Sequence, residues 1–527
     1  MSLDLPSPAP PLVSGRFIGV FVAAILVLFS VRNLPWHLDD LDQAKQAFVS
    51  YQMIENGAWL VQNTPRDEIA TKPPLQGWIS AGLYLAAGGR GWEFAWRLPV
   101  FVAALLILRQ LWRTGGVLYG NVLGSILAAG TFALNSFVPR LATLVRNDML
   151  LTAFIFFTGW VILEKLRKDV PWTWKSRLAL CLLLLGSTLT KGPIAYAFLL
   201  PGIVIYSWIA RRRQLPGGLF CGWIWWLLPL VFFGVWVALG MAVPGFTEQV
   251  VYKEFLGRFT VGASAQHHNL PPGYYTLNLL GRAFPWSIAL AAIFFVKPVR
   301  RALGHDPVLL WLACWFAGGL IFMEFVPSKR FDRILPVLPP LALLFARAAS
   351  HLPETALLSS PRPRLTEGLA ILGIFGATAY SAAEMMRAFR NDSRALVHFG
   401  SEVKSLVGAH PERLAITPVR DEGLLMYCGA DGYTERSMAL WLWEERKVDW
   451  LVAGSGDFEK LRDKIRNFEV AVETPTLPVK ADRYRLMRRI PDQQLPGLST
   501  PNSNSSRSRG FEKAKGAPDW GPPSKLH

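Results

Sequence analysis

Long apolar segments alternate with short polar ones through the first three quarters of this 527-residue chain. A helix needs about 20 apolar residues to cross a bilayer, and eleven apolar runs predict transmembrane helices, of which the short runs at residues 178–189 and 334–345 are expected to borrow flanking residues. No small-residue cleavage motif follows the first run, so we interpret it as a retained helix and not as a removed signal. The predicted crossings cover residues 17–31, 96–112, 117–138, 149–166, 178–189, 194–209, 223–242, 276–295, 308–325, 334–345 and 369–383.

The polar stretch between the first two crossings, residues 35–95, contains two further helical patterns. Apolar residues recur at helical spacing within residues 42–54, with Lys45, Gln46 and Glu55 largely opposite, which predicts an amphipathic helix on the membrane surface. Residues 75–87 are also apolar, but a crossing there would invert every later loop, and the short length suits a re-entrant or interfacial helix better than a span.

The pattern changes after residue 383. Residues 413–419, 448–454 and 484–490 look like strands, and residues 457–468 look like a helix with one apolar face. We therefore predict a transmembrane domain over residues 1–383, a small soluble α/β domain over 384–490 and a disordered Pro/Ser/Asn-rich tail over 491–527.

The distribution of basic residues predicts which loops face the cytoplasm. The formal net charge is +17, but the basic residues cluster between apolar runs, as cytoplasmic loops do, so nucleic acid is not an expected partner. The clusters lie at residues 109–113, 164–168, 211–213 and 297–301. If these four loops are cytoplasmic, parity places residues 39–91, 139–148, 244–275 and 327–333 and the C-terminal domain outside. The cysteines, Cys181, Cys221, Cys314 and Cys428, form no metal-type pair and predict no disulfide.

Several motifs in the external loops resemble the membrane glycosyltransferases of the C superfamily (GT-C), in particular the aminoarabinose transferases and protein mannosyltransferases. The first loop reads DQAKQA, then MIENGAW, then TKPP, against a family pattern of D-E-x-R-Y-A, M-L-x-x-G-D-W and K-P-P. RNDMLLT, LTKGP, EFLGRF, PPGYY and SKRFDRILPVLPPLAL follow in the family's order. The likeness covers residues 17 to about 350, and it implies an all-α polytopic GT-C fold.

The resemblance implies a reaction as well as a fold. Family members take a sugar from a polyprenyl-phosphate donor and pass it to lipid A, a protein or a polysaccharide. We therefore expect a multi-pass protein of the bacterial inner membrane, with its active site and C-terminal domain on the periplasmic or external side. On this pattern Asp42 is the general base of a single inverting displacement, and Asp148 is a second carboxylate that orients the acceptor or a cation. From the helix pattern alone, Asp42 is better explained as a helix cap than as a catalytic residue.

The donor phosphate needs cations, because its charge grows as the sugar departs. The resemblance implies Lys72 in this role, with Arg258 as a further candidate. Lys329, Arg330 and Arg333 form a basic cluster on the predicted external side, against the positive-inside rule, which suggests an anion there; simple solvation is the alternative. For Lys191 a snorkelling position at the interface is as good an interpretation as a functional one.

Two departures from the family pattern bear on a metal. Thr71 stands where the aminoarabinose branch has a Glu that can hold a divalent cation, so a cation cofactor is doubtful here. Gln43 replaces the usual Glu after the aspartate, and Asp39 and Asp40 could compensate. His267 and His268 are a possible acceptor or cation site, although adjacent histidines rarely chelate one ion without further ligands.

Two other function classes remain open on the sequence. A transporter or flippase for polyprenyl-linked sugars would share the crossings and the basic external cluster, but transporters place polar groups near the midplane, often within inverted repeats. A non-catalytic sugar-lipid binding protein would explain the departures at Gln43 and Thr71.

Overall fold

The computed structural model describes the chain in nine stretches. They are residues 13–32, 41–66, 68–88, 92–258, 270–352, 362–390, 395–419, 423–474 and 483–491. Nearly all of the predicted tail, which begins at residue 491, lies outside them. Within the described residues a large helical region precedes a small four-stranded sheet.

Nine α-helices make up the first part of the helical region. They are α1 (Gly15–Arg32), α2 (Leu41–Glu55), α3 (Leu75–Ala86), α4 (Trp92–Tyr119), α5 (Val122–Ala133), α6 (Val138–Leu141), α7 (Asn147–Lys168), α8 (Trp174–Lys191) and α9 (Ile194–Arg213).

The second part is less regular, because π-helical and 3₁₀ segments interrupt it. In order, it contains α10 (Trp223–Gly240), a π-helical segment (Thr247–Phe255), a 3₁₀ turn (Leu256–Arg258), α11 (Tyr274–Arg282), α12 (Trp286–Phe294), α13 (Lys297–Ala302), α14 (Pro307–Phe325), a 3₁₀ helix (Phe331–Val337), α15 (Leu338–Ser350) and α16 (Arg362–Arg390).

The predicted multi-pass membrane character is confirmed. Seven helices within the described residues are long and apolar enough to cross a membrane, or eight if α11 and α12, which meet at 111°, count as one span. Each predicted crossing overlaps helical residues, although 276–295 is the bent pair, α1 and α5 are shorter apolar helices, and α8 is not among the seven. The full count of eleven crossings therefore stays a prediction.

Close helix packing forms the centre of the bundle. α9 packs along α14, and α4 and α5 pack on each other and on α15. The α9–α14 contact depends on glycine, because a Cβ added at Gly318 would lie 2.5 Å from the backbone nitrogen of Gly202. Asp306 begins α14 by accepting hydrogen bonds from the N–H groups of Val308 and Leu309, at 2.9 and 3.2 Å.

The amphipathic helix predicted in the first loop is present as α2, but its apolar face does not lie against lipid. Ala44, Ala47 and Phe48 are fully buried in a cluster that includes Phe399 and Leu424 from the C-terminal part of the chain. The expectation that lipid covers this face was wrong, because an amphipathic pattern reports that one face is buried and does not specify the partner; the position of α2 relative to the membrane surface stays a prediction. The short helix predicted at residues 75–87 is confirmed as α3.

The C-terminal part of the chain forms an α/β unit. Its elements are α17 (Ala395–Val407), a 3₁₀ turn (Pro411–Arg413), β1 (Leu414–Ile416), α18 (Gly423–Cys428), α19 (Arg436–Glu444), β2 (Trp450–Gly454), α20 (Ser455–Leu461), β3 (Phe468–Glu473) and β4 (Tyr484–Arg489). The strand order is β1-β2-β4-β3. β1 and β2 are parallel, and β4 runs antiparallel to both β2 and β3, with Val452 opposite Ile416 on one side and Leu486 on the other.

Three of these strands confirm the sequence prediction, whereas β3 was missed. The predicted helix over residues 457–468 ends early, since α20 stops at Leu461 and β3 begins at Phe468. Asn467, with φ 56°, lies in the left-handed region and turns the chain into the strand. β3 is an edge strand whose side chains are mostly exposed, so it lacks the alternation that identifies a half-buried strand.

Candidate functional site

A polar cavity of about 300 Å³ opens where the first loop meets the helical bundle. Its walls come from α2, the loop before α3, the start of α7, the end of α8, the π-helical segment and the chain around Arg330. Of the described side chains that line it, seven are Lys or Arg and four are Asp or Glu. This excess of positive charge favours an anionic ligand.

Asp148 and Lys191 form an ion pair in the cavity wall. Lys191 Nζ lies 2.5 Å from Asp148 Oδ1, and both side chains are largely buried. Asp148 lies in the first turn of α7 and Lys191 is the last residue of α8, so each charge complements its helix terminus. Asn147 Nδ2 donates to the carbonyl of Thr190 at 2.9 Å and joins the same two helix ends. The pair therefore fixes a carboxylate and an ammonium at the cavity.

Asp332 gathers two arginines on another wall of the cavity. Its Oδ2 accepts from Arg146 Nη1 and from Arg330 Nη2, each at 2.9 Å. Arg333 also lines the cavity, and its Nη1 donates to the backbone and hydroxyl oxygens of Ser328 at 2.7 and 2.8 Å. Three guanidinium groups are thereby held facing one space.

Lys329 is not brought into this cavity with its neighbours. Its Nζ donates to the carbonyls of Leu270 and Val326, at 3.0 and 2.9 Å, and only 3% of the residue is exposed. Burial lowers the pKa of Lys329, and the nearby Glu324 carboxylate opposes that shift only in part. The structure therefore gives Lys329 a place in holding this loop.

Lys72 lies at the junction of the polar cavity with a second, apolar groove. Its Nζ forms an ion pair with Glu254 of the π-helical segment. The two prolines that follow, Pro73 and Pro74, are buried and lead directly into α3. The ammonium is thus held at a defined position by a stiff piece of chain.

The apolar groove has a volume of about 650 Å³ and lies beside α9. Leu200, Val204 and Phe322 are among the apolar residues that line it. Thr71, Lys72, Lys191 and Glu254 line the groove and the polar cavity alike. One continuous site therefore has an apolar arm, a charged junction and a polar chamber.

The backbone of Asp42 lies in the first turn of α2, and its side chain is outside the described atoms. Its neighbour Gln43 is fully buried, and its Oε1 accepts from Arg97 Nε at 3.1 Å and from the backbone N–H of Val145 at 3.0 Å. These bonds tie the start of α2 to α4 and to the loop before α7, so Gln43 determines where Asp42 sits relative to Asp148.

The remaining sequence candidates fall wholly or partly outside the described residues. Asp39, Asp40, His267 and His268 lie outside them, and Arg258 is described only as the end of a 3₁₀ turn. No three His, Cys, Asp or Glu side chains converge as a possible metal site within the part of the chain that the structure describes. All four cysteines are free and buried.

Sequence reasoning missed several residues that the structure brings to this site. Glu254, Arg146 and Asp332 lie within motifs that carried the family resemblance, but nothing local distinguishes them from solvated loop charges. The partners of the two lysine ion pairs are separated by 43 and 182 residues. Only the tertiary fold reveals those partners.

Known proteins resemble this chain in sequence and in fold. It is 26% identical over 342 residues to the undecaprenyl phosphate-alpha-4-amino-4-deoxy-L-arabinose arabinosyl transferase 2 of Proteus mirabilis, and 27% identical over 352 residues to the corresponding Shewanella sediminis transferase. Each match covers 62% of this chain and 59% of the relative, so the chain spans less than two thirds of the length of these curated proteins. No family model matches the chain.

Solved structures extend the likeness over most of the chain. The crystal structure of ArnT from Cupriavidus metallidurans bound to undecaprenyl phosphate is 16% identical, with a TM-score of 0.69 over 92% of this chain and all of that one. The archaeal oligosaccharyltransferase AglB from Archaeoglobus fulgidus, in complex with an inhibitory peptide and a dolichol-phosphate, is 12% identical and covers 84% of this chain, with a TM-score of 0.50. The resemblance to GT-C transferases, and to the aminoarabinose branch in particular, is confirmed at the level of sequence likeness and fold.

Proposed function

We propose that this protein is an integral-membrane glycosyltransferase that moves a sugar from a polyprenyl-phosphate donor to an acceptor. One observation carries the proposal, namely that an apolar groove and a cation-rich polar cavity meet at Lys72. A polyprenyl-phosphate sugar has the same three parts in the same order, a lipid tail, a phosphate and a polar sugar. Undecaprenyl phosphate-alpha-4-amino-4-deoxy-L-arabinose, after which the relatives are named, is a lipid of this kind.

In the proposed complex the lipid tail occupies the apolar groove beside α9. The phosphate lies at the junction, near Lys72 and Lys191, and the sugar reaches into the polar cavity. Cations at the junction stabilise the phosphate as it becomes the leaving group. Arg330 and Arg333 face the same chamber and add to this field, and Arg258 is a further candidate from the neighbouring loop.

The proposed reaction is a single inverting displacement. Asp42 takes the proton of the acceptor hydroxyl or phosphate, whose oxygen attacks the anomeric carbon. The bond from that carbon to the phosphate oxygen breaks, and its electrons remain on the departing lipid phosphate. Asp148, held by Lys191, orients the acceptor. The burial of Gln43 against Arg97 and Val145 supports a fixed distance between these two carboxylates.

A divalent cation does not fit the residues at the junction well. Thr71 supplies no carboxylate before Lys72, and the nearest described carboxylates, Glu254 and Asp148, each form an ion pair with a lysine. We therefore propose that the lysines, and not a metal, neutralise the phosphate.

We further propose eleven crossings, with the cavity and the C-terminal α/β domain, residues 384–490, on the periplasmic face of the bacterial inner membrane. Since α2 lines the cavity and packs against the C-terminal unit, that packing supports placing the cavity and the C-terminal unit on the same side of the membrane. The position of the four basic clusters supports the periplasmic side for that face. The acceptor, whether lipid A, a protein or a polysaccharide, would approach from that side.

Cysteine labelling tests the orientation. Ser437→Cys lies at an exposed position of α19 and should react with an impermeant thiol reagent added outside, since the native cysteines are buried. Arg211→Cys, exposed at the end of α9, is the matched control and should react only after permeabilisation. The reverse pattern would contradict the proposed topology.

Transfer of labelled sugar from undecaprenyl phosphate by the purified protein tests the activity. We expect transfer to an added acceptor, and loss of that transfer in Asp42→Asn. Movement of the lipid-linked sugar across a vesicle membrane without transfer would instead identify a flippase, and binding alone would identify a non-catalytic sugar-lipid protein.

A further inference from the structure

Four of the cations that line the polar cavity are paired with carboxylates of the protein. Lys72 pairs with Glu254, Lys191 pairs with Asp148, and Arg146 and Arg330 share Asp332. A phosphate that binds any of these four cations must therefore exchange with a resident carboxylate. Phosphate binding in this site is an ion exchange as well as a simple association.

Glu254 is the carboxylate at which this exchange begins. It pairs with the lysine at the junction, and it lines both the apolar groove and the polar cavity. The side chains of Lys72 and Glu254 are 28% and 14% exposed, so water reaches the pair and its opening is not blocked by burial. A phosphate at Lys72 and the carboxylate of Glu254 are both negatively charged, so they compete for the ammonium group of Lys72.

The reaction increases this competition. The donor phosphate is a diester with one negative charge. After the sugar leaves, the lipid phosphate is a monoester, which carries about −1.5 to −2 at neutral pH. The spent carrier thus binds cations more strongly than the donor did, and a site made only of cations would retain its own product.

We infer that Glu254 is a competing counter-ion for Lys72, which lowers the affinity of the site for polyprenyl phosphate and promotes release of the spent carrier. In this role Glu254 is a positioning residue that acts through Lys72. The inference rests on the proposed function, since it concerns the phosphate of the same lipid donor. The opposite role, in which Glu254 holds Lys72 in place for the phosphate, predicts the opposite effect on binding.

Binding of undecaprenyl monophosphate to the purified full-length protein separates the two roles. Glu254→Gln keeps the size of the side chain and removes its charge, so we expect the affinity to increase about five- to tenfold. Glu254→Asp should keep affinity close to that of the wild type. Glu248→Gln removes the same charge from an exposed position of the same π-helical segment and should change nothing.

Steady-state kinetics provide a second readout. If Glu254 promotes release, Glu254→Gln should lower KM for the donor and lower kcat by similar factors, while the rate of a single turnover stays unchanged. If Glu254 instead holds Lys72 in place for the phosphate, Glu254→Gln should raise KM for the donor.

Weaker or unchanged binding of undecaprenyl monophosphate by Glu254→Gln would overturn the inference and leave the proposed function standing, provided that the wild type binds and Lys72→Ala binds more weakly than the wild type. Failure of the wild type itself to bind above the detergent background would overturn the proposed function, and the inference with it.

Discussion

The two ends of α14 carry ion-pair clusters of similar composition that do different things. At its N-terminus, Asp306 accepts from Arg347 Nε at 2.7 Å and lies 2.8 Å from His351 Nε2. The helix has 19 residues and is about 28 Å long. Near its other end, Phe322 lines the apolar groove together with Lys72, Lys191 and Glu254. We define these three charged residues and Asp148 as the cavity cluster. Both clusters join separate helices through charged side chains.

The two clusters differ in whether their charged groups remain available to bind a ligand. Asp306 also caps α14, and Arg347 Nη1 also donates to the carbonyl of Leu118, so this cluster is committed to bonds within the protein. The cavity cluster faces a chamber with more cations than carboxylates. The comparison teaches that a buried ion pair indicates a ligand-binding site only where it borders a cavity whose lining has an excess of one sign of charge. The Asp306 cluster should therefore support stability, and the cavity cluster should support turnover.

The largest effect that sharpens this comparison is expected at Asp42, in the helix that contributes Lys45 to the cavity wall. Asp42→Asn should reduce turnover about a hundredfold or more, because the proposed base can no longer accept the acceptor's proton. Donor binding and thermal stability should remain close to those of the wild type. Near-normal sugar transfer would reject Asp42 as the base, and Asp39, Asp40 and Asp148 would then be the next carboxylates to test.

A smaller effect is expected at Lys72. Lys72→Ala should weaken donor binding about tenfold and lower turnover as well, since the phosphate gains charge as the sugar departs. Lys72→Arg should recover part of the activity if charge suffices, and should fail if the compact ammonium is required. Unchanged binding and transfer in Lys72→Ala would reduce the role of this lysine to an interfacial one.

At the other end of α14, Asp306→Asn should lower the melting temperature by about 3 °C, with sugar transfer per folded molecule unchanged. The effect should depend on pH. Burial raises the pKa of Asp306, but hydrogen bonds from His351 and Arg347 outweigh it and hold the pKa below its usual value.

A lowered pKa in the folded state means that this stabilisation is complete above the unfolded pKa of about 4 and is lost as the pH falls through the folded value. Melting temperatures between pH 7 and pH 3 should therefore converge for the wild type and Asp306→Asn at the acid end. A loss of transfer at neutral pH in this variant, without loss of stability, would break the comparison.

The smallest effect is expected from metal removal. Because lysines occupy the junction and Thr71 offers no carboxylate, a chelator should change the rate of transfer less than about twofold. Loss of activity with EDTA, restored by a divalent cation, would contradict the assignment of phosphate neutralisation to Lys72 and Lys191.

The sequence predicted the helical part of this fold well because bilayer crossings need long apolar runs, which are visible locally. It placed Lys72 and Asp148 near one cavity through the order of the family motifs. The sequence could not identify what covers the apolar face of α2, since a face covered by lipid and a face covered by protein have the same amphipathic pattern. Nor could it pair Lys72 with Glu254, because ion pairs between distant residues leave no periodic signal.

The contacts between the first loop and the C-terminal unit have a consequence for how the protein is made. Gln52 Nε2 donates to the carbonyl of Asp431 at 3.3 Å across a separation of 379 residues, and Tyr433 N donates to the carbonyl of Pro65, also at 3.3 Å. At 5 to 20 residues per second, the ribosome needs roughly 20 to 75 seconds to cover that distance. During this interval Ala44, Ala47 and Phe48 lack the surface that finally buries them. The growing chain therefore remains without a finished first loop until synthesis is nearly complete, so a prematurely terminated chain would be inserted in the membrane yet inactive.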